Sequence, residues 1–303
     1  MKKAILSSIQ KCSKTSLHKS ESMHTTKRSL IPRKIWILWY QGLSEAPFIV
    51  RKCVDSWIRE NPTWDIVILD SDCLSQYIRL DLPEKKVTSL CLAHQSDLVR
   101  LALLSKYGGV WADATTFCMK PLNNWIDDCT TSGFFAFYKP SRYRILSNWF
   151  IASEKNSPIV SKLYKNLTLF WMKNDIKEQT NLQRKVTRRL FKILNRNEKT
   201  AKYWLTPIVI KLLREYPYYV FHFLFERLIS TDPESQTIWK NTKKLSAKDP
   251  QAIKRNGLLS LATESTKKQI DDKQVPMYKL TWKYDRTKYS SSSLLFYLIQ
   301  GRE

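Results

Sequence analysis

Between residues 31 and 70 two apolar runs flank one amphipathic segment, and few folds accept that order. "IPRKIWILWYQG" (31–42) is apolar and aromatic and is closed by Gly42, and "WDIVILD" (64–70) is a second such run. Runs of that kind suit buried strands. Residues 46–60 between them set Val50, Val54, Trp57 and Ile58 on one face of a predicted helix, and "NPT" at 61–63 breaks it. A strand, a helix and a strand with short connections predict an α/β domain built on a parallel sheet.

The pattern continues downstream. A long helix is expected over roughly 88–106, with Thr88 as its N-cap and Leu90, Ala93, Asp97, Leu101 and Leu104 on its buried side. Gly108 and Gly109 stop it. "VWADATTF" reads as one further strand and "GFFAFYKP" (133–140) as another. Beyond about residue 155 helices dominate. Pro158 opens one at 158–173. Residues 176–199 give a basic helix with an apolar stripe of Leu182, Val186, Leu190 and Ile193. Residues 1–29 are polar, without periodicity, and read as a poorly ordered tail. Residues 30–303 read as a single domain.

Charge narrows the partners. Lys and Arg number 51 against 27 Asp and Glu, a net +24, which attracts nucleic acid, anionic lipid or phosphorylated substrates. Only 6 glycines argue against a turn-rich all-β protein. The six cysteines (Cys12, Cys53, Cys73, Cys91, Cys118, Cys129) form no close CxxC pair and no zinc spacing, so reduced thiols in a cytoplasmic protein are expected. The start "MKKAILSSIQ" has an apolar run, Ala4 to Leu6, too short for a signal peptide. The longest apolar candidate, "YYVFHFLFERL" (218–228), is interrupted by His222, Glu226 and Arg227, short of a membrane span. A soluble or surface-bound protein is expected.

One acid stands out. Asp113 sits in "YGGVWADATTF" among apolar neighbours, where strands disfavour aspartate. A carboxylate at a strand end, in the crevice of an α/β sheet, lies where ligands bind. Placed in a crevice and not in the core, it is expected to matter to chemistry and little to stability. Sixteen residues earlier stands Asp97, with Arg100 three places on, on the same helical face. Arg offers a planar fork to phosphates and hydroxyls.

These residues carry a resemblance. "AHQSDLVRLALLSKYGGVWADATTF" resembles the D-x-x-R…YGG-[VI]-[YW]-x-D-x-[DT] core of the bacterial capsular polysaccharide synthesis family, related to the DXD-sugar-binding glycosyltransferases. "IPRKIWILWYQG", "CVDSWIRENPTWDIVILD", "NWFIAS" (148–153) and "PMYKLTWKY" (276–284) also look like family segments. The resemblance implies a GT-A-like nucleotide-sugar-binding sheet over 30–155, followed by a helix-rich part over 156–303 that faces the acceptor or a membrane. It implies transfer of a sugar from a nucleotide-sugar to a growing capsule or lipopolysaccharide glycan. Trp39 would stack on the base, Asp97 and Arg100 would grip sugar or ribose hydroxyls, Asp113 would contact donor and metal, and Lys279 would hold the diphosphate. His222 would be a late metal ligand beside Asp113. No catalytic base or nucleophile is identified. Thr115 stands where the wider superfamily has its second Asp, which weakens the expectation of a bound Mn²⁺ or Mg²⁺.

The basic 176–199 segment suits the anionic inner face of a cell membrane, giving a cytoplasmic protein peripheral on that surface. Two other classes stay open at this point. An inactive transferase scaffold of a polysaccharide assembly would explain Thr115, and a nucleic-acid-binding protein would explain the charge. The second lacks a helix-turn-helix, RNP or zinc signature, so nucleic acid is not expected as a partner.

Overall fold

The computed structural model describes residues 31–300. The 1–29 tail and Cys12 lie outside the described residues. Seven strands are present among these residues: β1 (Lys34–Leu38), β2 (Asp65–Leu69), β3 (Gly109–Ala112), β4 (Thr116–Cys118), β5 (Phe134–Ser141), β6 (Arg144–Ser153) and β7 (Met277–Lys279). Five form one sheet in the order β2-β1-β3-β6-β5, and β4 pairs with β7 in a second. β1 pairs in parallel with β2 and β3, whereas β6 runs antiparallel to β3 and to β5. The sheet is therefore mixed, where the first strands had predicted a parallel one.

Period-2 alternation along β1 splits its side chains between two cores. Ile35 and Ile37 join the helix Phe48–Glu60 through Ile49, Val50, Cys53, Val54 and Trp57. Trp36 and Leu38 face the helices Leu92–Tyr107, Pro158–Lys173 and Val220–Thr231 on the other side. Both faces of the sheet are covered, which is why its central strands read as continuous apolar runs. The expected α/β domain with a helix-rich second half is what forms.

Several local expectations are corrected. Ile58 lies off the buried face and is 47% exposed. β2 is an edge strand, so its middle residues are only half-buried. Thr88 caps nothing. It belongs to a separate short helix, Glu84–Ser89, and Leu90 turns extended (φ −84°, ψ 147°) before the long helix starts at Leu92. "VWADATTF" is two strands, because the chain turns at Asp113 between β3 and β4. The 158–173 helix stands as expected with Pro158 in its first turn, and the basic helix spans Asn181–Leu194 behind a Thr180 capping box. The five described cysteines are free.

The paired glycines do more than end a helix. Gly109 has φ +95°, and a Cβ there would lie 2.5 Å from the Lys34 carbonyl oxygen of β1. Left-handed backbone and close approach both require glycine. Gly109→Ala is expected to cost about 1–3 kcal/mol from backbone strain alone, read as a lower thermal midpoint. An unchanged midpoint would show that the β1–β3 seam can open by itself to admit a methyl.

Candidate functional site

β3 ends at Ala112, and the turn that follows delivers Asp113 to the seam between the two sheets. The Asp113 N–H donates to the Trp149 carbonyl of β6 at 2.9 Å. The Thr116 N–H returns to the Asp113 carbonyl at 2.8 Å, and its hydroxyl donates to the same oxygen at 2.6 Å. Leu280 N–H bonds the Thr115 carbonyl at 2.8 Å, which sets β7 alongside and brings Lys279 back across 166 residues.

The Asp113 carboxylate is fully engaged. Oδ1 accepts from Trp111 Nε1 at 2.9 Å and from Arg100 at 3.2 Å, and Oδ2 accepts from Lys279 Nζ at 2.9 Å. Arg100 also pairs with Asp97, one turn earlier on its helix, and Asp97 accepts from Asn148 at 2.9 Å. Asp97 and Arg100 are each 4% exposed, so this is a buried network and not a solvated helix pair. Burial works to raise the Asp113 carboxyl, but the cations of Lys279 and Arg100 outweigh it and hold the group below the usual carboxylate range. It is ionised at neutral pH.

A pocket of about 840 Å³ opens over this network. Its wall includes Trp39, Asp97, Arg100, Asp113, Thr115 and Lys279, together with His222. Its size falls in the range of small-molecule sites. Trp39 is half-buried and meets Trp282 edge-on at 6.0 Å, so the two indoles make an aromatic rim. His222 is 3% exposed and neither ring nitrogen has a hydrogen-bond partner. Burial, and then Arg144 and Arg100, push its pKa well down, which leaves a neutral imidazole.

Sequence reasoning missed Trp282, Arg144 and Lys254. Trp282 lies in the same "KLTWK" run as Lys279 and was within reach of that signal. Arg144 and Lys254 carry no local signal and are joined to the site only by the fold. With them the pocket wall has five cations (Arg100, Arg144, Lys254, Lys279, Lys283) facing three carboxylates (Glu45, Asp97, Asp113). Burial lowers the Lys254 pKa, and the neighbouring cations Lys279 and Arg144 lower it further. Such a wall favours an anion with an attached flat or polar body.

A divalent metal fits poorly. Mg²⁺ is held by one or two carboxylates plus substrate phosphates. Here Thr115 gives a neutral hydroxyl, both Asp113 oxygens are already bonded, and His222 stands beside two guanidinium groups. Among the described residues no group of three or more His, Cys, Asp or Glu is disposed to hold a metal ion.

Comparison with known proteins gives three kinds of match. Residues 1–211 match the family described as "Capsular polysaccharide synthesis protein". The chain is 29% identical over 158 residues to Glycosyltransferase afumC of Aspergillus fumigatus, covering 46% of this chain and 40% of that protein. It is 26% identical over 160 residues to an uncharacterized glycosyltransferase of Acanthamoeba polyphaga mimivirus, covering 50% and 61%. The chain thus spans about two fifths to three fifths of the length of these relatives. A solved structure, the UDP-bound glycosyltransferase domain from the YGT toxin, aligns at TM-score 0.42 and 10% identity over 81% of this chain and 89% of that one. That likeness is too loose to carry a residue role across.

Proposed function

Because the chain belongs to the capsular polysaccharide synthesis protein family, we propose that it is a glycosyltransferase that takes a sugar from a nucleotide-sugar and delivers it to a cell-surface glycan. The observation that carries this reading is the Asp97–Arg100–Asp113–Lys279 chain, buried at Asp97 and Arg100 and half-buried at Asp113 and Lys279, in the wall of a cationic pocket with an indole rim. Trp39 and Trp282 offer flat faces for the base. Asp97, Arg100 and Asp113, held rigid by one another, offer donors and acceptors to ribose and sugar hydroxyls. Lys254, Lys279 and Arg144 face the diphosphate.

The acceptor hydroxyl attacks the anomeric carbon, and the bond from that carbon to the phosphate oxygen breaks. Its electron pair leaves with the nucleoside diphosphate, whose growing charge the cations stabilise. Asp97 and Asp113 are tied in ion pairs, so neither is poised to take the acceptor's proton, which in this reading passes to the departing diphosphate. A panel of nucleotide-sugars tests the reading, with slow hydrolysis to free nucleoside diphosphate as the signal. Turnover of one donor above the rest is expected. Binding of a nucleotide-sugar with no turnover of any would favour the inactive scaffold instead.

On the acceptor side we propose an anionic membrane surface that carries lipid-linked glycan. The helix Asn181–Leu194 holds Arg184, Lys185, Arg188, Arg189 and Lys192 and no acid. It packs through Thr187, Leu190 and Leu194, while Leu182 (72% exposed), Val186 and Ile193 stay outside. Ile208 and Leu212 are also exposed, and Gln183 of the basic helix donates to the Leu212 carbonyl. Apolar side chains ringed by cations complement a layer of anionic headgroups over acyl chains. Among the described residues no helix is long and apolar enough to cross a membrane, so the contact is a surface one at this part of the chain.

A further inference from the structure

The second strand pair places Lys279 between the two residues that correspond to a metal-binding carboxylate motif. Its Nζ lies 2.9 Å from Asp113 Oδ2 and 2.5 Å from Thr115 Oγ1. We propose that the Lys279 ammonium is the resident cation of the donor site, and that with Lys254 and Arg144 it does for the diphosphate what a divalent metal ion would otherwise do. The enzyme then works without one. This rests on the glycosyltransferase reading and says which charge meets the leaving group.

Three observations converge. The position is built, because β7 pairs with β4 with Lys279 opposite Thr116, and the Lys279 N–H is anchored to the Pro250 carbonyl at 2.7 Å. It is enclosed, with the Lys279 side chain 14% exposed. It is chemically matched, because Thr115 supplies a hydroxyl that accepts from an ammonium, where a second carboxylate would serve a metal. One carboxylate and one hydroxyl balance a monovalent cation. Before any diphosphate binds, the same pair around a divalent ion would leave charge uncompensated, next to Arg100 on the other side of Asp113. Bringing a metal ion in would mean expelling the ammonium and adding two charges to a wall that already carries five cations.

In the transfer step the electron pair of the breaking bond moves onto the diphosphate oxygen. Lys279, still held by Asp113, donates one hydrogen to that oxygen, since an ammonium has three donors and two are used here. Thr115 at this position is then a consequence of the lysine and not a defect of a metal site.

The test needs no knowledge of the sugar. Mn²⁺ is titrated into the protein with and without UDP or GDP, and free ion is followed by its electron spin resonance signal. No uptake beyond that of the nucleotide alone is expected in either case, and nucleoside diphosphate binding by calorimetry should be equal in buffer with EDTA and with Mn²⁺. Lys279→Ala should bind the nucleoside diphosphate about ten- to a hundredfold more weakly. If a donor turns over in the panel, its rate should stay within twofold in excess EDTA. Stoichiometric Mn²⁺ uptake by the unaltered protein, or nucleotide affinity that collapses in EDTA, overturns the inference while leaving the transferase reading intact. Nucleotide-sugars that neither bind nor react would sink the transferase reading, and the Mn²⁺ titration would still decide the cation.

Discussion

Asp113→Asn is expected to lower sugar transfer roughly a hundred- to a thousandfold, the scale on which loss of one preorganised electrostatic contact acts. The carboxylate joins two cations that sit on different elements, Arg100 on the helix Leu92–Tyr107 and Lys279 on β7. An amide keeps the shape and loses the charge that orders both. The lysine would be left with the Thr115 hydroxyl and no charged partner there, and the guanidinium would keep only Asp97 as a carboxylate partner. Sequence alone suggested that this change would leave stability untouched. The geometry corrects that, because three donors converge on the acid, and losing their charged acceptor should cost about 1–3 kcal/mol as well.

pH separates the two effects. The folded-state pKa of Asp113 is depressed, so its ion pairs stabilise the fold above the unfolded value of ~3.9 and lose that contribution as pH falls through the folded value. Thermal midpoints of the two proteins should differ at pH 7 and converge in acid. A variant that keeps full activity would return Asp113 to a purely structural role.

What could be read from the sequence followed from local causes. Strand β1, the helix after it and the helix at 158–173 are legible because burial periodicity and proline act within a few residues. The break at Asp113 was not, because "VWADATTF" contains neither Gly nor Pro. Its turn is made by Thr116 bonding back to Asp113, between residues that read as one strand. Leu90 ends one helix and precedes another by backbone angle alone. For the site, Asp97, Arg100 and Asp113 lie within one motif and were legible as a group. Their pairing with Lys279 depends on β4 meeting β7, a contact between distant segments that no spacing encodes. Arg144 and Lys254 enter in the same way, which is why the charge of the pocket emerged only from the fold.

The second large effect concerns where the protein works. Replacing Arg184, Lys185, Arg188 and Arg189 with Gln is expected to release it from anionic vesicles and to spare hydrolysis of a soluble donor. Each basic side chain near an anionic surface contributes ~1 kcal/mol, so four removed charges weaken binding by roughly 4 kcal/mol at most, about a thousandfold. Salt should imitate the mutation, since these charges act over only ~8 Å at physiological strength. Salt and mutation should share one limit. Leu182, Val186 and Ile193 remain exposed in both, and a residual, salt-resistant attachment to vesicles should be lost only when Leu182 and Ile193 are also made polar. The pocket over Asp113 draws none of its wall from the helix Asn181–Leu194, so the chemistry proposed for it should not register the change. Co-sedimentation with phosphatidylserine vesicles measures the first effect and nucleoside diphosphate release the second. An unaltered protein that does not bind the vesicles at all would remove the membrane from the account, and retention on an anionic polysaccharide or nucleic acid column would then name the partner of the +24 charge.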